Sequence, residues 1–321
     1  MAVNPTNIPN NITAETNAAS TDERRSLVNR QLPSMVLSDG AESSMTGPPL
    51  PFPHYLNSEG KARYRFTVEG SAVITGGTGT LALNCARALL EHGCSGLALL
   101  DRQPPSDPTI RAALSSLTTD FPSSTVLVLQ ADVTDEASVR RALEEAKASL
   151  DDITICCCFA GVVDCQHAVD LDVDRWRQTI DVNLTGSYVT ARAVAREMMA
   201  AQTGGSIVFI ASISGHIVNF PQPQASYNVS KAGVLHLTKC LAAEWARYGI
   251  RVNSISPGYM DTILNEGPGL AAAREQWNAR NPMGRMGTPE ELAGPLIMLC
   301  SYAGSFINGA DIVVDGGACV F

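Results

Sequence analysis

The sequence predicts an α/β fold, a doubly wound parallel sheet of about seven strands with helices on both faces. Two observations lead to this prediction. Short apolar runs typical of buried strands alternate with segments of helical periodicity from residue 71 to the end of the 321-residue chain. A glycine-rich turn also separates the first apolar run from the first helical segment. Strands and helices in this alternation form a parallel sheet that is covered on both faces.

The individual elements follow from the same patterns. The predicted strands span residues 71–75, 97–100, 125–130, 153–159, 206–211, 251–256 and 307–317. Helices are predicted after residue 80 and over 109–119, 135–149, 172–202 and 225–248. A last helix is expected after Thr288, because Glu291 stands three residues on and completes a capping box. The three cysteines at 156–158 fall within a predicted strand, where free cysteine packs as a small apolar residue.

The composition is that of an ordinary globular protein, with 45% hydrophobic and 17% charged residues. A formal net charge of −9 without a cluster of lysine or arginine argues against nucleic acid or an anionic membrane as a partner. No apolar run approaches the roughly 18 to 20 residues of a membrane span, and the N-terminus lacks a signal-peptide pattern, so a cytoplasmic protein is predicted. Nine cysteines without a CxxC pair predict neither a metal site nor a disulfide framework.

The chain is predicted to consist of an N-terminal arm and one folded domain. Residues 1–60 are rich in Asn, Thr, Ser and Pro and are predicted to form a disordered or loosely packed N-terminal arm. Residues 61–321 are predicted to form a single domain. Within it, residues 263–285 are irregular and carry Gly267, Pro268 and Gly269, so we predict a mobile substrate lid there.

The glycine-rich turn follows the first strand and opens a helix at Thr80. Strand, glycine turn and helix form the context in which backbone N–H groups at a helix N-terminus bind a diphosphate. The turn therefore indicates a binding site for an anionic cofactor.

A candidate acid–base group lies farther along the chain. Ser212 follows the fifth strand, and Tyr227 and Lys231 open the next helix. Their spacing of four positions puts the phenol and the ammonium on one helix face. An ammonium near a phenol favours the phenolate, so Lys231 is expected to lower the pKa of Tyr227. The Ser212 hydroxyl supplies a group that can hold a substrate oxygen.

Strand, serine, loop, YxxxK and helix together resemble the short-chain dehydrogenase/reductase family, over about residues 65–321. In that family the serine positions a carbonyl or carbinol, the tyrosine transfers the proton, and the lysine lowers the tyrosine pKa and holds the nicotinamide ribose. The resemblance gives these roles to Ser212, Tyr227 and Lys231. The separation of serine and tyrosine, 227 − 212 = 15, is two longer than the commonest form. This longer loop is similar to the fungal polyol dehydrogenase and sugar reductase branch, which includes sorbose, xylulose, mannitol and arabinitol enzymes.

The resemblance further implies a Rossmann-type fold and a nicotinamide cofactor. It matches Asn183 to the family asparagine where the helix kinks and leaves a carbonyl that holds a water beside the lysine. A hydrogen-bonded core asparagine is the alternative interpretation. The implied cofactor-binding residues are Gly76, Gly79, Thr80, Leu81, Asp101, Arg102, Asp132, Val133, Ala160, Gly161, Tyr227, Lys231, Pro257, Gly258 and Thr262. The sequence departs from the family pattern at Thr80 and Ala82, where the main branch has glycines, and at Phe159, where it has asparagine.

The choice of cofactor depends on two neighbouring residues at the end of the second strand. The Asp101 carboxylate can accept hydrogen bonds from ribose hydroxyls and would repel a 2′-phosphate, which favours NAD(H) over NADP(H). Arg102 works in the opposite direction, because its guanidinium can pair with that phosphate. A simple turn residue is the alternative interpretation of Asp101.

The resemblance implies hydride transfer between a nicotinamide cofactor and an alcohol or ketone carbon, with a polyol or ketose as the substrate. Two alternatives stay open. One is a ketoreductase of a larger secondary metabolite, and the other is a nucleotide-binding pseudoenzyme or scaffold, which the departures at Thr80 and Phe159 suggest. The family resemblance, together with apolar second faces on the helices at 172–202 and 225–248, implies a homodimer or homotetramer. The residues expected to line the substrate pocket are Ser214, His216, Tyr259, Met260 and Trp277.

Overall fold

The computed structural model describes residues 32–40, 45–103, 105–262, 265 and 267–321. Most of the predicted arm, residues 1–31 and 41–44, lies outside the described residues, as do residues 263, 264 and 266 of the predicted lid. The chain divides into two units between Val36 and Leu37. The architecture below is that of the second unit.

Seven parallel strands form one sheet in the described part of the chain, in the order β3-β2-β1-β4-β5-β6-β7. The strands are β1 (Ser71–Thr75), β2 (Gly96–Asp101), β3 (Thr125–Gln130), β4 (Ile153–Cys158), β5 (Gly205–Ile210), β6 (Ile250–Pro257) and β7 (Asp311–Val314). The order runs in opposite directions on either side of the β1–β4 pair, which opens a crevice at the carboxyl ends of these two strands. The predicted doubly wound parallel sheet is confirmed.

The helices are α1 (Ser58–Tyr64), α2 (Thr80–Glu91), α3 (Pro108–Asp120), α4 (Glu136–Lys147), α5 (Val173–Ile180), α6 (Gly186–Ala201), α7 (Ala225–Trp245), α8 (Ala271–Ala279) and α9 (Ala293–Cys300). The capping box at Thr288 is confirmed, since its N–H donates to Glu291 Oε2 at 2.8 Å, but the chain first makes a 3-10 turn before α9. The strand expected over 307–317 covers four residues only, because Gly309 adopts a positive φ of 74° and leaves the extended conformation.

Two apolar clusters lie on the two faces of the sheet. Alternate residues of β1 divide between them, with Ile74 in the cluster covered by α2, α3 and α9, and Val73 in the cluster covered by α4, α6 and α7. The cysteine run in β4 alternates likewise, with Cys157 in the first cluster and Cys156 and Cys158 in the second. A hydrogen bond to Cys300 and burial raise the pKa of the Cys157 thiol, which fits a packing role.

The described residues just before the predicted domain pack against it. The Phe52 ring lies 4.9 Å from the Tyr302 ring and 5.8 Å from the Tyr64 ring, measured between centroids. The Tyr302 hydroxyl donates to the Leu50 carbonyl at 3.2 Å, and the Asn57 side chain caps α1. The expected boundary between residues 60 and 61 stays a prediction, and α1 spans it.

Candidate active site

A cleft of about 1090 Å³ opens at the carboxyl edge of the sheet. It brings together residues from the glycine turn, the ends of β2, β4, β5 and β6, and the first turns of α7. The predicted site residues that line it are Gly76, Gly79, Thr80, Leu81, Asp101, Arg102, Asp132, Val133, Ala160, Gly161, Ser212, Tyr227, Lys231, Pro257, Gly258 and Thr262. Asn183 is the predicted site residue that lies outside this lining.

Ser212 and Tyr227 face each other across the substrate end of this cleft. Ser212 comes directly after β5 and Ala211, and its side chain is buried. Its Oγ donates to Ser214 Oγ at 3.0 Å and accepts the Ser214 N–H at 3.1 Å. Tyr227 stands in the first turn of α7. Burial raises the pKa of the Tyr227 phenol, and a hydrogen bond with Ser212 lowers it in part.

Lys231 lies one helical turn beyond Tyr227 and is almost fully buried. Its Nζ donates to the Ile210 carbonyl at 2.7 Å and lies 5.5 Å from the centroid of the Tyr227 ring. Burial lowers the pKa of this ammonium from 10.5 to about 8.

The pKa of Tyr227 is raised overall, although Lys231 was expected to lower it. The Lys231 ammonium stands over the ring of Tyr227 and donates to a backbone carbonyl, so it favours a phenolate by its charge at a distance and not by a hydrogen bond to the phenol oxygen. The cost of burying a phenolate is the larger effect, and the pKa of Tyr227 is raised. At neutral pH the phenol therefore carries its proton.

Asn183 is fully buried in a five-residue π-helix, Asp181–Thr185, between α5 and α6. Its Oδ1 accepts the Val162 N–H at 2.8 Å, and its Nδ2 donates to the Val162 carbonyl and to Ser230 Oγ, both at 2.9 Å. The side chain thus braces the turn after β4 against α7. Its backbone carbonyl accepts the Ser187 hydroxyl at 2.7 Å. The local irregularity expected at this position is present as the π-helix, and the water-holding role stays a prediction.

The cofactor end of the cleft fits a dinucleotide. Gly76 has a φ of 60°, and a Cβ there would approach Ala160 N to 2.8 Å, so only glycine allows this close passage of the two turns. Helix α2 begins directly at the cleft with Gly79 as its N-cap, without a side-chain cap and without an acidic residue in its first turn. Its first N–H groups are available for a diphosphate.

Asp101 is held by the glycine turn, a contact that sequence reasoning did not find. Its Oδ2 accepts the Thr78 hydroxyl at 2.5 Å and the Thr78 N–H at 3.2 Å, and its Oδ1 accepts the Arg102 N–H at 2.8 Å. The carboxylate is therefore fixed at the mouth of the cleft, whereas Arg102 is exposed. The neighbouring Asp132 has its pKa lowered by hydrogen bonds from the Thr134 hydroxyl and N–H.

The substrate end contains a set of neutral side chains that we call the amide wall. Its members are Asn219, Gln222, Gln224, Tyr259 and Trp277, and all of them line the cleft. Tyr259 and Trp277 stack with ring centroids 4.2 Å apart and planes 8° from parallel. The three amides were missed from the sequence, and the unusual length of the loop between Ser212 and Tyr227, which carries them, was the available signal.

The residues expected to line the substrate pocket are found there with one exception. Ser214, Tyr259, Met260 and Trp277 line the cleft. His216 does not, because its Nε2 lies 2.9 Å from Asp311 Oδ2 and 3.1 Å from Ser256 Oγ, on the side of β6 and β7. That part of the prediction was wrong.

Two further searches cover the described residues only. None of their helices is long and apolar enough to cross a membrane. No group of three or more His, Cys, Asp or Glu side chains among them is arranged to hold a metal ion.

Comparison with known proteins gives concordant matches. A family model described as Enoyl-(Acyl carrier protein) reductase matches residues 77–319. A galactitol 2-dehydrogenase of Rhizobium johnstonii is 39% identical over 261 residues, which are 79% of this chain and 96% of that protein. A sorbose reductase of Schizosaccharomyces pombe is 36% identical over 263 residues, covering 79% and 98% of the two chains. An NADP-dependent mannitol dehydrogenase of Alternaria alternata is 38% identical over 195 residues, covering 61% and 72%.

Solved structures give the same result. A short-chain type dehydrogenase/reductase from Mycobacterium marinum superposes with a TM-score of 0.71 at 36% identity, over 79% of this chain and 97% of that one. Fold, cleft and sequence matches agree. The chain belongs to the short-chain dehydrogenase/reductase family, and it is a nicotinamide-dependent oxidoreductase that acts on an alcohol or ketone carbon.

Proposed function

We propose that this protein interconverts a polyol and a ketose. The observation that carries the proposal is the convergence of Ser212, Tyr227 and Lys231 in a dinucleotide-sized cleft that is also lined by the amide wall with its stacked aromatic rings. Amide and hydroxyl groups match the hydroxyls of a polyol, and an aromatic stack packs against its C–H faces. The sugar and polyol substrates named for the relatives support the same class.

We propose roles for the three residues that their geometry supports. The nicotinamide cofactor, when bound, donates or accepts the hydride. In the reductive direction Ser212 Oγ holds the substrate oxygen, and the Tyr227 phenol gives its proton to the same oxygen. Lys231 holds a positive charge beside the ring, which favours the phenolate that remains after the transfer. Asn183 keeps the turn at Val162 in place against α7.

The first prediction concerns proton transfer. Tyr227→Phe removes the donor and leaves the ring, so we expect kcat to fall by about 100-fold or more while the Kd of the cofactor changes by less than about threefold. Cofactor oxidation is followed with a panel of ketoses, and cofactor binding by fluorescence. Tyr248→Phe, at a tyrosine outside the cleft, is the matched control. Near-wild-type turnover of Tyr227→Phe would refute the assignment.

The second prediction concerns pH. The ammonium of Lys231 has a lowered pKa of about 8, so the residue is charged below that pH and neutral above it. We expect kcat/KM for ketose reduction to be level near neutrality and to fall as the pH rises above about 8, because the positive charge that favours proton transfer is lost. A profile that stays level through this range would show that the charge of Lys231 is not required.

The third prediction concerns cofactor choice, for which we propose NAD(H) over NADP(H). The carboxylate of Asp101, which Thr78 holds in place, would repel a 2′-phosphate bound beside it, and at a partly solvated site this repulsion is worth about 10- to 100-fold. We expect the wild type to prefer NADH and Asp101→Ala to lose the preference by gaining NADPH activity, as measured by kcat/KM with both cofactors. Asp170→Ala, at an exposed aspartate outside the cleft, should leave the ratio unchanged. A tenfold preference of the wild type for NADPH would instead assign the choice to Arg102.

The fourth prediction concerns assembly. We propose a cytoplasmic homodimer or homotetramer that uses the outer faces of α6 and α7, where Tyr188 and Val229 are 37% and 50% exposed. Light scattering at micromolar concentration is expected to give two or four times the chain mass of 34.0 kDa. A monomer mass would contradict this proposal.

A further inference from the structure

The direction of the hydrogen bonds in the amide wall is set by one group. The indole N–H of Trp277 can only donate, and it donates to Gln222 Oε1 at 3.2 Å. The amide oxygen of Gln222 must therefore face the indole, and its NH₂ group faces Tyr259. Gln222 Nε2 donates to Tyr259 Oη at 3.0 Å. The phenol oxygen of Tyr259 is thus an acceptor in this bond.

A second amide makes the same kind of contact. Asn219 Nδ2 donates to Tyr259 Oη at 2.9 Å, and its Oδ1 accepts Gln224 Nε2 at 2.9 Å. Asn219 and Gln224 are both buried, so these bonds are shielded from water. Both amide N–H groups donate to the phenol oxygen, so Tyr259 is the acceptor in both bonds. The Tyr259 hydrogen is left to donate, and no residue in the described part of the chain accepts it.

Tyr259 is placed where a substrate can receive this bond. It lines the cleft directly after Pro257 and Gly258, and its stack on Trp277 holds the ring in one plane. Tyr227 lines the same cleft. The O–H of Tyr259 therefore belongs to the cleft that holds the residue proposed to handle the reacting oxygen.

We propose that Tyr259 is a substrate-binding residue whose O–H donates to a hydroxyl of the substrate away from the reacting carbon, and that Gln222 and Trp277 are positioning residues that fix the direction of this bond. The inference rests on the proposed function, because it requires a substrate with more than one oxygen. It makes Tyr259 a specificity-determining residue. A substrate with a hydroxyl at that place satisfies the donor, and a plain secondary alcohol leaves it without a partner.

Two variants remove the donor in different ways. Tyr259→Phe deletes the hydroxyl. Gln222→Glu keeps the shape and still accepts the Trp277 indole, but the introduced carboxylate cannot donate, so the Tyr259 hydrogen turns towards it and away from the substrate. Each variant is expected to raise KM for a polyol or ketose about tenfold, with kcat changed less than about threefold. The double variant should be no worse than either single variant, because both remove the same bond.

The controls separate recognition from structure. With cyclohexanol, which has a single hydroxyl, both variants are expected to keep kcat/KM within about twofold of the wild type. Tyr248→Phe and Gln276→Glu make the same chemical changes at residues outside the cleft lining. They should leave kcat/KM unchanged with both substrates. An equal loss with polyol and cyclohexanol would assign Tyr259 a structural role and overturn the proposal.

A titration tests the direction of the bond without turnover. Two N–H donors lower the pKa of Tyr259 against the effect of burial, and Gln222→Glu replaces one of them with an anion. The phenol pKa, from near-ultraviolet difference spectra against Tyr259→Phe, is expected to rise in that variant. An unchanged or lower pKa would overturn the assigned direction.

The outcomes distinguish this inference from the proposed function. A wild type that turns over polyols or ketoses, together with an unchanged KM in Tyr259→Phe, would overturn the role of Tyr259 and leave the proposed function standing. A wild type inactive with every polyol and ketose would overturn the proposed function and, with it, the partner assigned to the Tyr259 hydroxyl.

Discussion

The position of the site depends on the reversal of strand order between β1 and β4. Because these neighbouring strands are followed by chain segments on opposite sides of the sheet, a crevice opens between their carboxyl ends. The approach of Gly76 to Ala160 keeps this crevice narrow at its base, and the N-terminus of α2 points into it. The same edge receives the ends of β5 and β6, which supply Ser212 and the turn that carries Tyr259. The residues predicted to bind the cofactor and the substrate lie in one cleft, because the carboxyl ends of parallel strands lie at the same edge of the sheet.

Local patterns were sufficient to predict the elements and the position of Tyr227 and Lys231 on one helix beside the cleft. Buried parallel strands read as continuous apolar runs, and the spacing of Tyr227 and Lys231 belongs to a single helix, so neither requires knowledge of distant contacts. Asp101 was found for a similar reason, because it ends a strand whose carboxyl edge faces the cleft. In each case the sequence neighbourhood determines where the side chain lies.

The contacts that sequence reasoning missed join distant parts of the chain. Thr78 bonds to Asp101 across the β1–β2 pair. Gln222 accepts a hydrogen bond from Trp277, which lies in a helix 55 positions farther along the chain. The loop that carries Asn219 and Gln224 is polar, a composition typical of solvated loops, yet both side chains are buried among one another. His216 belongs to the same loop, but its side chain lies outside the cleft lining and contacts Ser256 and Asp311. The composition of the loop does not tell which of its side chains line the cleft, because tertiary packing determines the partner of each side chain.

The two phenols of the substrate end show how the same side chain takes two roles. Burial raises the pKa of both Tyr227 and Tyr259, so both are protonated donors at neutral pH. Their surroundings differ in charge. Tyr227 has the Lys231 ammonium over its ring, a full positive charge that favours release of the proton as charge develops on the phenol. Tyr259 has neutral amides on its oxygen, which orient its hydrogen, and the charge of Arg280 lowers its pKa less than either amide does. The two proposed roles, proton transfer at Tyr227 and a lasting hydrogen bond at Tyr259, rest on this difference.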